Sequence, residues 1–201
     1  VRFVVYDGLN RAPVKIHNER NICSLGADLG KTGALHPEGV ARAIDSLKRF
    51  SGLVKAMKIG RVHAVATAAV RDAKDGTAFI DKIKNDFGLE IRLIDGDEEA
   101  RLSALGVIAN GLGRNGIIGD YGGGSLELIV VDQGMVRHKI SLPLGSHRLH
   151  ALQNQGARIK EIDAQLAKVD FLKDHTGLDF YALGGAWRSM ARAHIHMRDY
   201  P

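Results

Sequence analysis

Apolar residues in this chain fall into short runs and into longer stretches with helical spacing, and glycines punctuate both. Residues 1–6 form a compact apolar run that predicts a strand. Asp7-Gly8 closes it as a hairpin turn signal, with a second strand over 13–17. Residues 18–35, with Gly26, Gly30 and Gly33, predict a loop. Val40, Ile44, Leu47, Val54 and Met57 recur at helical spacing and predict a helix over 37–57 with one buried face. Pro37 and Glu38 suit its first turn, and Gly60 stops it. The small apolar run 62–69 reads as a buried strand. Phe79, Ile80, Ile83 and Phe87 predict a helix over 77–87 that Gly88 ends. A strand over 89–94 follows, then a helix reaching 110 that Asp95 or Asp97 caps.

The second half repeats the rhythm. Strands over 116–120, 125–132 and 135–142 form a meander with Gln133-Gly134 as a turn. Helices are expected over 146–153 and 160–174. A strand over 180–183 runs into Gly184-Gly185, and a last helix carries the chain to its end. Alternating strands and helices predict an α/β protein. Two domains are expected, 1–112 and 113–201, with 111–115 as a short linker.

One stretch stands apart: Asp120-Tyr121-Gly122-Gly123-Gly124-Ser125-Leu126-Glu127-Leu128. A plain turn needs one or two glycines. Three in a row strip side chains from a concave rim and let an anion approach backbone N–H groups. Asp120 and Glu127 flank that rim. Carboxylates beside an anion cradle suggest phosphate together with a divalent cation. Glu127 is either a metal ligand or an exposed strand residue. Ser125 offers a hydroxyl to a phosphate oxygen.

Three other places could carry chemistry. Glu99 lies in the first turn of a helix that follows a strand, where α/β proteins bind ligands. It is either a general base or an acid stabilised by the helix dipole. Arg71, expected at a strand end, forks onto a phosphate or forms a surface ion pair. Gly145-Ser146 and Gly184-Gly185 are strand-to-helix corners able to meet an anion.

Composition narrows the picture. The chain has 201 residues, 45% hydrophobic and 25% charged, as in an ordinary globular protein. No apolar run approaches the ~20 residues of a membrane helix. Cys23 is alone, so an internal disulfide is excluded and a cytoplasmic setting is expected. The net charge of +5 favours anionic partners, but the basic residues are scattered, which argues against sequence-specific nucleic-acid binding.

Taken together, these pieces resemble the exopolyphosphatase / guanosine pentaphosphate phosphatase (Ppx/GppA) family. They are Ala66-Thr67-Ala68-Ala69-Val70-Arg71-Asp72-Ala73, then Gly96-Asp97-Glu98-Glu99-Ala100-Arg101-Leu102, then 120–128, then Leu144-Gly145-Ser146 with Arg148-Leu149. Leu183-Gly184-Gly185 with Arg188 resembles the family's later nucleotide-side loop. The resemblance implies the actin-like ATPase (ribonuclease H-like) fold, with two similar α/β domains facing across a cleft. It implies Mg²⁺-dependent hydrolysis of terminal phosphoanhydride bonds in polyphosphate or guanosine pentaphosphate, with polyphosphate or guanosine penta/tetraphosphate as the bound partner and a homodimer common in the family. By position Glu99 matches the catalytic base, Asp120 and Glu127 the metal and water ligands, residues 122–125 the phosphate loop, and Arg71 the substrate-binding arginine.

The sequence also departs from the family. The Asp-x-Gly-Ser-Asn-Ser loop of the family's first strand is not in this sequence, and Val1 falls where that loop would end. Tyr121 stands where an aliphatic residue is usual, and Ala186 where Thr is usual. A partial chain is therefore expected. Two rivals remain open from the residues: a sugar or acyl kinase of the same fold, and a non-catalytic polyphosphate or alarmone sensor.

Overall fold

In the computed structural model, residues 1–9, 13–111 and 115–198 are described. The expected 112/113 domain boundary, most of the 111–115 linker and the very end of the last helix lie outside these residues. The described chain forms two compact units, Val1–Asp95 and Gly96–Pro201.

The first unit opens with β1 (Arg2–Tyr6) and β2 (Lys15–Arg20), paired antiparallel. The tight Asp7-Gly8 turn is replaced by a longer connection. The Asp7 N–H donates to Val14 O at 3.0 Å, and the Val14 N–H donates to Asp7 Oδ1 at 2.9 Å. That ladder shifts β2 toward the chain's C-terminus. A short helix α1 (Leu29–Thr32) interrupts the glycine-rich stretch. Helix α2 (Pro37–Ala56) follows, with Pro37 and Glu38 in its first turn. Its most buried positions are Gly39, Ala43, Ser46, Phe50 and Ser51, while Val40, Ile44 and Leu47 pack at the edge of the core. The buried face is thus one residue off the expected apolar stripe, because small residues allow the closest approach.

The expected strand 62–69 shortens to β3 (Ala64–Ala66). Thr67 then turns the chain into a single helical turn, α3 (Ala68–Arg71), since alanines serve a helix as readily as a strand. Arg71 therefore ends a helical turn and not a strand. Helix α4 (Gly76–Phe87) stops at Gly88, whose φ of 68° marks a left-handed cap. β4 (Ile91–Leu93) pairs parallel with β3, a βαβ arrangement. Phe79 and Ile83 of α4 meet Ala43 of α2 in the unit's core.

The second unit begins with helix α5 (Gly96–Ala109). Strands β5 (Gly116–Tyr121), β6 (Leu126–Asp132) and β7 (Met135–Leu142) form the expected meander. Gln133 and Gly134, with φ of 51° and 74°, make its two-residue turn. After this come α6 (Ser146–His150) and α7 (Gln155–Leu166), then a 3₁₀ segment over Asp170–His175. The expected helix over 160–174 is displaced because Asn154 caps α7 early, its Oδ1 accepting from the Ala157 N–H at 2.9 Å. β8 (Phe180–Leu183) pairs parallel with β5, giving the order β7-β6-β5-β8, and α8 (Gly185–Met197) follows.

This sheet buries both faces. Ala100, Ala104 and Val107 of α5 cover Ile118, Ile129 and Val131 on one. Leu128, Leu142, Leu144 and Val169 form the core of the other. At about 25 cal/mol per Å² of buried apolar area, such layers are the main force holding the unit together. Among the described residues no helix is long and apolar enough to cross a membrane.

Candidate active site

The site grows from the end of the α5-covered face. Strand alternation puts Ile118 and Asp120 on that face of β5, and Glu127 opposite Asp120 on β6. Ser141 of β7 lies opposite Glu127. The same face is thus apolar at one end and oxygen-rich at the other. Glu99 sits in the first turn of α5 with Asp97 and Glu98. Glu99 is half-buried and Asp97 exposed.

Asp120, Glu127 and Asp97 are each held by a neighbouring side chain. Ser103 Oγ, one helical turn beyond Glu99, donates to Asp120 Oδ2 at 2.7 Å. Ser141 Oγ donates to Glu127 Oε1 at 2.7 Å, and the Ser125 hydroxyl also donates to Glu127. Glu127 is among the most buried side chains, only 2% exposed, so it is not the solvated strand residue the alternation also allowed. Burial pushes its carboxyl up to about 7, and the Glu99 and Asp120 carboxylates act in the same direction, against the two serine hydroxyls. Lys139 on β7 pairs with Asp97 at 2.6 Å, placing a cation beside the start of α5.

The glycine loop closes β5 onto β6, with the Gly122 N–H donating to Ser125 O at 3.0 Å. The Gly123 and Gly124 N–H groups donate to no acceptor among the described residues. They remain available to an anion. Gly145 and Ser146 form the backing of this loop. The Ser146 N–H donates to Gly122 O at 3.1 Å, the His147 N–H to Gly123 O at 2.9 Å, and Arg148 Nε to Gly124 O at 3.0 Å. A Cβ added at Gly145 would lie within 3.0 Å of Gly124 C, Ser125 N and Gly123 C, so only glycine lets the two segments touch. Gly184, at the β8–α8 corner, abuts Tyr121 O and Asp120.

Arg71 belongs to the first unit. There its Nη1 donates to Ile94 O at 3.0 Å, and its Nε lies 3.3 Å from Asp72 Oδ1. The structure therefore brings Glu99, Asp120, Ser125, Glu127 and the glycine loop together in one unit, with Gly145 and Ser146 behind them. Sequence reasoning missed Ser103 and Ser141. Ser103 was findable, four residues after Glu99 on the same helix face.

The donor set suits a hard cation. Asp120, Glu127 and Glu99 offer carboxylate oxygens, and burial first, then the Glu99 and Asp120 charges, raise the Glu127 carboxyl. Among the described residues no three His, Cys, Asp or Glu side chains stand close enough to hold an ion unaided. Mg²⁺ commonly keeps several waters and takes only one or two carboxylates, so these oxygens fit it.

The site thus sets an open-amide glycine loop on strands that carry the buried Glu127 and the half-buried Asp120. Residues 4–174 match the model of the Ppx/GppA phosphatase family, and the chain belongs to that family. Its fold is the α/β fold of solved Ppx/GppA family structures. It is 30% identical to a bifunctional 3-dehydroquinate synthase/phosphatase of Fusobacterium nucleatum over 186 residues, 86% of this chain and 28% of that protein. It is 32% identical to a guanosine-5'-triphosphate,3'-diphosphate pyrophosphatase of Aliivibrio fischeri over 123 residues, 60% of this chain and 24% of that protein. The chain thus spans about a quarter of the curated relatives it matches. Among solved structures, an exopolyphosphatase from Cytophaga hutchinsonii superposes with TM-score 0.86 at 24% identity, over 99% of this chain and 68% of that one. The Aquifex aeolicus Ppx/GppA family member gives TM-score 0.74 at 29% identity, over 100% and 67%.

Proposed function

We propose that this protein hydrolyses terminal phosphoanhydride bonds, in inorganic polyphosphate or guanosine pentaphosphate. One observation carries the reading: two open amides lie on the glycine loop that joins the strands carrying Asp120 and Glu127, and Glu99 and Asp120 act electrostatically on Glu127. The amides receive phosphate oxygens, as preorganised backbone donors do where negative charge develops. Glu99, half-buried at the start of α5, orients and deprotonates the attacking water. Ser103 fixes Asp120 against rotation, and Ser125 and Ser141 fix Glu127. Asp120 and Glu127 would hold Mg²⁺ with water completing its shell. When bound, the ion neutralises charge on the phosphoryl group. Arg71 enters from the sequence match alone, as a guanidinium for phosphate. The phosphatase and pyrophosphatase activities named for the curated relatives support the same reaction class.

The test is phosphate release from polyphosphate, guanosine pentaphosphate and ATP, with and without Mg²⁺. Release from either of the first two, lost in Glu99→Gln by about 10²–10⁴-fold, is expected for a general base. A Glu99→Gln protein with full turnover would refute the assignment. Binding without release would point to a sensor, and ATP consumption that depends on an added acceptor, without phosphate release, to a kinase.

A further inference from the structure

Resting on that reading of residues 122–125 as a phosphate loop, the geometry points to His147 as a further substrate-binding residue on the loop's rim. His147 is the second residue of the five-residue helix α6, and it is exposed. Its own N–H is used within the protein, donating to Gly123 O at 2.9 Å. Its imidazole is not pointing away. A Cβ built at Gly123 would lie 2.7 Å from the ring's Cδ2 and 3.1 Å from Nε2. The ring therefore rests on the Cα of Gly123, the residue whose N–H, with that of Gly124, faces no acceptor among the described residues. The next residue behaves differently: Arg148 directs Nε inward, to Gly124 O at 3.0 Å.

The loop's amides are neutral donors. A chain of phosphates carries negative charge along its length. An exposed imidazole next to the amides adds a side-chain donor, and a cation when protonated, for oxygens beyond the phosphate held by the loop. His147 is thus a specificity-determining contact for extended oligophosphates over orthophosphate. The bland alternative is that the ring only packs on a glycine that has no side chain of its own.

Two variants separate these. His147→Leu fills the space without a donor, and His147→Gln keeps an amide donor. Tripolyphosphate and orthophosphate binding are measured by calorimetry, with kcat and KM for tripolyphosphate beside them. A charge-assisted hydrogen bond predicts about tenfold weaker tripolyphosphate binding and a correspondingly higher KM in His147→Leu, with kcat and thermal midpoint held. Orthophosphate binding stays as in wild type, and His147→Gln recovers most of the loss. Unchanged tripolyphosphate binding in His147→Leu overturns the inference. So does an equal loss in both variants accompanied by a lower midpoint, which marks packing. If wild-type protein binds neither phosphate, the reading of the loop itself falls, and the inference with it.

Discussion

Gly145→Ala is the sharpest perturbation the site offers, because its added methyl meets backbone on every side. The new Cβ would stand within 3.0 Å of Gly124 C, Ser125 N and Gly123 C. Ordinary carbon contacts are about 3.5–4.0 Å, so loop and corner must part by about 1 Å. No flexible side-chain end is available to give way. Overpacking of this kind costs about 1–3 kcal/mol. The hydrogen bonds from Ser146 and His147 to Gly122 and Gly123, at 3.1 and 2.9 Å, stretch with it. For a unit of about a hundred residues, each kcal/mol lowers the midpoint by about 4–8 °C, so a fall of at least about 4 °C is expected. A misplacement of about 1 Å at the loop costs turnover about 10²-fold. Differential scanning calorimetry and steady-state phosphate release measure both. Gly134→Ala is the control: φ of 74° strains it, open space surrounds it, and it lies in the β6–β7 turn away from the loop. It should lose about 1 kcal/mol and no turnover. A Gly145→Ala protein with wild-type midpoint and turnover would refute the packing described for the loop.

Two further expectations concern the carboxylates. Glu127 titrates higher folded than unfolded, about 7 against 4.5, so the folded state holds the extra proton. Without Mg²⁺, stability should be fully present below about pH 4.5 and decline as pH rises through about 7, by at most about 3 kcal/mol. Urea titrations at several pH values measure this. Glu127→Gln should flatten the slope and raise stability at pH 8, and a slope that survives the substitution would remove Glu127 as its source. Ser103→Ala takes from Asp120 the hydroxyl at 2.7 Å. A cost of about 1–3 kcal/mol is expected, with a weakened Mg²⁺ dependence of phosphate release; an unaltered Mg²⁺ titration would contradict the positioning role.

Much of the architecture was readable because hydrophobic period and glycine punctuation agreed. The helices α2, α4 and α5 and the meander fall near their predicted places for that reason. The chain around Thr67 misled because Ala68, Ala69 and Val70 satisfy either a strand or a helical turn. The surroundings of Glu127 were not readable at all. A two-residue turn at Gln133-Gly134 would by itself set Ile140 across from Glu127. The irregularity between Val130 and Val131, where Val130 meets His138 and Val131 meets Val136, admits one extra residue and brings Ser141 there instead. Since a one-residue slip exchanges the two faces of a strand, the partner of that carboxylate depends on a bulge with no sequence signature. The exposed ring of His147 was equally silent, as one histidine in a polar corner.

Helix α5 lies on the sheet through Ala100 and Ala104, both with no exposed surface. At these two positions a methyl group is the spacer between that helix and the strands, while Val107 packs further along. The same helix carries Glu99, whereas Asp120 and Glu127 ride on β5 and β6. The gap between Glu99 and the strand carboxylates is therefore gauged in part by the thickness of an alanine. Residues with no chemistry of their own set the tolerance of the chemistry, and a larger side chain at Ala104 would detune it without touching a single polar atom.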